Sequence, residues 1–199
     1  MKPSENTKTF WLMIYAIEAF REVIWACNYL LQSRPHPSDS MFRAMMTSIY
    51  THYGRPFHKN FGVGSLKRDI VPEQYKSLHD RLMLERDKIH AHRDSSGVQS
   101  HIGEANQVRL LRIERGFTWC TSTCLSCEDD EIMEIGKLCS LLIKHLDKET
   151  DRYQEKCLPL IRELSVGEYQ LNLDSQNDNL FVKVESVLPP NDQLDLTVL

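Results

Sequence analysis

Two stretches, one near each end of the chain, repeat their apolar residues every three or four positions, and this periodicity constrains the fold more than any other feature. Lys8 to Gln32 carries Ile14, Ile17, Val23, Leu30 and Leu31 on a broad apolar surface, and the stretch after Ser126 sets Ile132, Ile135, Leu138, Leu142, Leu146 and Tyr153 at the same period. Stripes of this length are stable only when buried against other helices, so the pattern predicts a mostly α protein whose first helix is largely buried. Neither stripe is a membrane span. The run Phe10 to Ile17 is closed by Glu18, Arg21 and Glu22, well short of the ~20 apolar residues a bilayer requires. It also lacks a small-residue cleavage site, so a cytoplasmic protein without membrane contact is expected.

Breakers divide what lies between. "RPHPSDS" ends the first helix, because Pro35 and Pro37 cannot continue it, and Ser38 or Ser40 can cap the next. That second helix is predicted over Met41 to Tyr53, stopped by Gly54 and Pro56, and a loop then leads to a third opened by Pro72 and Glu73. Between about 98 and 125, "QVRLLRIERGFTWCTS" has the β-branched and aromatic residues of an irregular hairpin of two short strands around Gly116. Ser126, Glu128, Asp129 and Asp130 supply a cap and an acidic first turn for a long fourth helix, which Pro159 is expected to kink or end. Beyond Gly167, "EYQLNL" and "LFVKVESV" alternate across "DSQNDN" as a terminal hairpin, and the residues after Pro189 and Pro190 read as a tail. The expected organisation is a helical domain over 1–164 and a hairpin with tail over 165–199.

Charge is distributed unevenly. The formal net charge is −4, which argues against a protein that coats nucleic acid with a uniformly basic surface. Yet Thr51 to Arg93 holds nine lysines and arginines against five acids, a local +4 that leaves −8 for the remainder, and five of the eight histidines fall there. Residue types suited to binding phosphate and moving protons are therefore concentrated in one segment. Within it, "LHDRLMLERDKIHAHRD" places His79, Met83, Arg86, His90 and Arg93 on one helical stripe, with Asp80, Asp87 and Asp94 beside it. A structural helix could pair the two stripes. Two imidazoles and two guanidiniums on one face make a better phosphate site, since Arg grips phosphate oxygens with parallel hydrogen bonds and His titrates near neutrality.

This segment, with "YGRPF" before it and helices in bundle order, resembles the HEPN superfamily, whose signature is an Arg, a polar residue and a His after four to six intervening residues. Arg86, Asp87 and His92 match it, whereas His90 lies outside the spacing. The resemblance covers roughly Lys8 to Leu164. It implies a HEPN-like four-helix bundle that forms a homodimer with facing motifs and, in active members, a metal-independent endoribonuclease leaving 2′,3′-cyclic phosphate ends on RNA. Arg86 and His92 would then be catalytic, with Asp87 orienting them and His90, one turn from Arg86, in reserve; Arg55, His58, Lys59 and Arg93 are expected to contact substrate. In a straight helix His92 projects about 120° from Arg86, so the pair needs a loosened helix or a partner subunit. His92 could equally pack beside Ile89 at a dimer seam.

No cofactor is expected. Cys120, Cys124 and Cys127 have the spacing with which radical-SAM enzymes hold an iron–sulfur cluster, but a helical bundle precedes them instead of an α/β barrel. A zinc site lacks paired ligands on both halves, so reduced cysteines are the simpler account. Two functions follow. One is a toxin or phage-defence ribonuclease, with an antitoxin or regulatory partner; the other is a non-catalytic HEPN-like module that dimerises or binds a partner or nucleic acid.

Overall fold

The computed structural model describes residues 5–59, 63–87, 99–100, 103–113, 116–125, 127–173 and 180–184. Four α-helices dominate: α1 (Glu5–Ser33), α2 (Ser40–Gly54), α3 (Lys76–Glu85) and α4 (Asp129–Arg162). The protein is mostly α, as the periodicity requires. α1 packs along α4 and against α2, and α3 docks on α2. At one end Phe10 stacks on Tyr153 with centroids 4.4 Å apart and the Tyr153 hydroxyl donates to Thr7 at 2.9 Å; at the other, Arg34 meets Asp129 at 3.4 Å. The two long helices are thus antiparallel.

Their facing stripes make the core. Ile132, Ile135, Leu138, Leu142 and Leu146 of α4 are all buried, against Ile17, Phe20, Val23, Ala26 and Leu30 of α1 and Phe42, Met46, Ile49, Tyr50 and Tyr53 of α2. Ile14 departs from expectation and stays 39% exposed. It lies nine residues before buried Val23, which at ~100° per residue is the opposite side of the helix.

The helix ends correct the sequence reading in two places, the cap of α2 and the end of α4. Asp39, not Ser38 or Ser40, caps α2: its extended backbone (φ −69°, ψ 140°) lets the carboxylate accept the Met41 N–H at 3.0 Å. Ser40 is already helical, and the Ser38 hydroxyl is engaged by His36 Nδ1 at 2.7 Å. α2 ends at Gly54 as expected; the glycine is right-handed (φ −76°, ψ −27°) and leads directly into a 3₁₀ turn, Arg55–Phe57. Pro159 does not end α4, which runs on to Arg162. The fourth helix does open with the expected acids Asp129, Asp130 and Glu131, although Glu128, its N-cap residue, makes no side-chain cap bond. Ser126 lies outside the described residues.

A 3₁₀ turn at Glu73–Tyr75 feeds α3, and the helix widens to a π turn at Arg86 and Asp87. The excursion is larger than two short strands. β1 (Gln99–Ser100), β2 (Gly103–Ile113) and β3 (Gly116–Leu125) form an antiparallel sheet in that order, with Leu110 opposite Trp119, Ile113 opposite Gly116 and a register shift between Glu104 and Gln107. Near the C-terminus β4 (Tyr169–Leu171) pairs antiparallel with β5 (Phe181–Lys183), Gln170 opposite Val182, as the alternation predicted.

Leu142→Ala removes a fully buried side chain from the α1–α4 seam and should cost about 2–5 kcal/mol in urea denaturation. Leu141→Ala, one residue away but 41% exposed, should cost far less, within roughly 0.5 kcal/mol. Equal losses would contradict the packing.

Candidate functional site

The site is built on an aromatic knot. Tyr53 at the end of α2 and Phe57 in the turn after it both lie against Phe20 of α1, with centroids 5.9 and 6.0 Å away, and against each other at 5.5 Å. His79 of α3 closes the knot: its ring meets Phe57 edge-on at 4.6 Å, and its Nδ1 is 2.8 Å from the Tyr53 hydroxyl. Burial lowers the His79 pKa below its ordinary 6.5; Asp80 opposes this shift and Arg68 adds to it. His79 is therefore a neutral core histidine, and the stripe His79, Met83, Arg86 faces the interior and emerges at Arg86.

Arg86 lies across Gly54. A β-carbon at Gly54 would stand 3.0 Å from Arg86 Cδ and 3.2 Å from Cγ and Nε, so the missing side chain is the seat for the arginine. The guanidinium Nη1 donates to His58 Nε2 at 2.5 Å and to Asp87 Oδ1 at 2.8 Å, and Asp87 Oδ1 is 3.3 Å from His58 Nε2. The Arg86 side chain is only 20% exposed, and its buried Nε has no hydrogen-bond partner among the described residues. A guanidinium cannot accept, so in the bond with Arg86 His58 Nε2 presents its lone pair, whereas a proton on Nε2 would be donated to Asp87 Oδ1. His58 itself is held by Pro56 and Phe57, which pack inward, and by its N–H, which donates to Gly54 O at 3.2 Å.

The structure thus brings together three of the residues expected at the site, Arg86, Asp87 and His58. Arg55 and Lys59 flank His58 on the exposed side. His90, His92 and Arg93 lie outside the described residues, as does Asp94. The pairing of stripes open to a purely structural helix is replaced at Asp80 by a residue of a 3₁₀ turn, Arg68–Ile70: Arg68 donates Nε to Oδ1 at 2.7 Å and Nη2 to Oδ2 at 2.6 Å. This fork holds the Asp80 carboxyl below its usual range. Gly54 and Tyr53 were missed as site-forming residues. "YGRPF" was the available signal, but a glycine before a proline reads first as a helix stop.

Elsewhere on α3, Arg81 Nη2 donates to Glu131 Oε1 at 2.5 Å and ties α3 to α4. Cys127 bonds to the same glutamate; burial, then the Glu131 charge and its hydrogen bond, drive the thiol pKa up. Burial alone pushes Cys27 up to about 12. Protonated thiols of this kind are poor nucleophiles and poor ligands. Among the described residues, no group of three or more His, Cys, Asp or Glu could hold a metal ion. The Cys120 and Cys124 backbones lie in β3, and their side chains are outside the described set.

Compared with protein-family models, with curated proteins and with solved structures, the chain matches none.

Two outcomes follow from this geometry. Gly54→Ala suits the helical backbone and should keep or slightly raise thermal stability, by up to about 1 kcal/mol, while displacing Arg86 and shifting the His58 imidazole NMR signals. Unchanged His58 signals would contradict the seat. Because the folded pKa of His79 is lowered, the unfolded chain binds more protons below about pH 6.5. Stability should therefore fall as pH drops through that value, by at most about 1.4 kcal/mol per pH unit from this group, until folded His79 protonates. In His79→Phe the urea midpoint should be lower at neutral pH and its decline over this range should be shallower.

Proposed function

We propose that the protein is a metal-independent endoribonuclease of toxin or phage-defence type, acting as a homodimer and cutting RNA to 2′,3′-cyclic phosphate ends. The observation that carries this reading is the largely covered Arg86 guanidinium, with an imidazole nitrogen and a carboxylate oxygen on the same Nη1. Charge growing on a phosphate in the transition state is stabilised most by a donor that is already oriented and partly withdrawn from water. Arg86 meets both conditions, because Gly54 seats its stem and Asp87 and His58 orient its head. The chemistry asks for a base at the ribose 2′-hydroxyl and an acid at the departing 5′-oxygen, roles that histidines fill near neutral pH. His92 and, in reserve, His90 are the motif's candidates. The locally basic segment supports an anionic substrate, and an antitoxin or regulatory partner fits the same reading.

A second reading has its own support. Both Arg86 partners belong to this chain, so the arginine could serve as a strut in a non-catalytic module that dimerises or binds a partner.

Incubation with mixed RNA in EDTA separates the two. Oligonucleotides ending in 2′,3′-cyclic phosphate are expected, and Arg86→Ala should cut their yield about a hundredfold or more while the protein stays folded. His92→Ala should do the same. Sedimentation at micromolar concentration should give a dimer. Wild-type protein that leaves RNA intact, or an Arg86→Ala protein that unfolds, would favour the module.

A further inference from the structure

We propose that His58 is the proton acceptor of this site, held in reserve by Arg86 and released when a tetrahedral oxyanion takes the guanidinium. The inference rests on reading Arg86 as a phosphate-binding residue and assigns the base to a residue outside the Arg-polar-His motif.

The argument begins with a shared atom. Arg86 Nη1 has two hydrogens, and His58 Nε2 at 2.5 Å and Asp87 Oδ1 at 2.8 Å account for both. His58 accepts from Arg86 there with its Nε2 lone pair directed at the cation, and once protonated the same nitrogen has Asp87 Oδ1 within 3.3 Å to donate to. A lone pair in that position is the one a general base uses. It is masked only by a cationic donor, which an anionic oxygen attracts more strongly than a neutral nitrogen does.

Both partners are anchored where their side chains begin. Pro56 is buried, Phe57 packs between Phe20 and His79, and the His58 N–H is bonded to Gly54 O, so the imidazole is tethered at its backbone. Arg86 is seated on Gly54. A phosphodiester oxygen that takes Nη1 exchanges partners locally and leaves His58 Nε2 facing it with a free lone pair.

Charge then favours protonation. Arg86 and Asp87 cancel each other, and the other described charged residues beside His58, Arg55 and Lys59, lie on its own segment. An anion placed against His58 favours the charged imidazolium, and a proton on His58 gives that oxyanion a second donor. With an inert anion that proton comes from solvent. With RNA it comes from the 2′-hydroxyl: the O–H bond breaks to Nε2, the 2′-oxygen bonds to phosphorus, the bond from phosphorus to the 5′-oxygen breaks, and that oxygen takes a proton from water or a second acid.

The test uses sulfate, which has no proton to exchange near neutrality. Calorimetric titration of the full chain in two buffers of different ionisation heat should show uptake approaching one proton per bound sulfate. His58→Gln should still bind sulfate, more weakly and without uptake. Arg86→Ala should bind about tenfold or more weakly, and Arg86→Lys, which keeps the charge and loses the fork, should fall between. Saturable binding with no uptake, uptake that persists in His58→Gln, or no saturable binding at all overturns the proposal.

A 2′-O-methyl oligoribonucleotide, which cannot be cleaved, identifies the natural source of the oxyanion. If it displaces sulfate and brings the same uptake, a nucleic-acid phosphodiester is supported. Uptake with sulfate but no competition from the oligonucleotide supports the exchange and removes the ribonuclease reading. RNA cleavage that survives intact in His58→Gln overturns the base assignment and leaves that reading standing.

Discussion

The hydrogen bond between Tyr53 and His79 is the contact on which the arrangement of the site depends. It joins the last turn of α2 to the middle of α3 inside the core, where an unpaired hydroxyl or imidazole would cost about 1–3 kcal/mol. Burial raises the Tyr53 pKa and lowers that of His79, so both groups are held neutral. With Phe57 stacked edge-on against His79, the turn after α2 has little freedom, and the next residue, His58, is delivered to the end of α3. The site is a consequence of how this knot is satisfied.

Two arginine–aspartate pairs on or beside α3 illustrate why position matters more than pairing. Arg68 and Asp80 make a well-formed fork, but both side chains are about half exposed, and such a pair contributes little to stability because water competes for each charge. Arg86 and Asp87 make a single bond, yet Arg86 is four-fifths covered and its Nε is buried without a partner among the described residues. A cation in that setting interacts more strongly with whatever anion approaches it, because the surroundings screen less. Gly54 makes the setting possible. Any larger residue there would press on the arginine stem.

Where chain and structure agree, the controlling interactions are local or periodic. The stripe from Ile132 to Leu146 was legible because a helix with that period has one face to bury, and every one of those residues is buried. The terminal hairpin was legible from alternation across a turn-rich segment. Capping of α2 was missed by one residue because Asp39, Ser38 and Ser40 all have suitable side chains, and backbone dihedrals decide which stands half in the helix. The excursion was placed correctly over about 98–125, but its strands were read too short and too few because they gain from pairing with each other, which no single strand reveals.

The sequence by itself determined that this chain forms long helices with one apolar face, and that its basic residues and histidines crowd the segment around the third helix. It also determined that His79, Met83 and Arg86 share a stripe, since spacings of three and four residues allow nothing else in a helix. Only the tertiary structure decided which way that stripe points. Tyr53, 26 residues before His79, turns the first of its members inward by satisfying it, and His58, 28 residues before Arg86, meets the last where it surfaces. Period is a property of neighbouring residues, whereas the satisfaction of a buried polar group depends on residues that only the folded chain brings within reach.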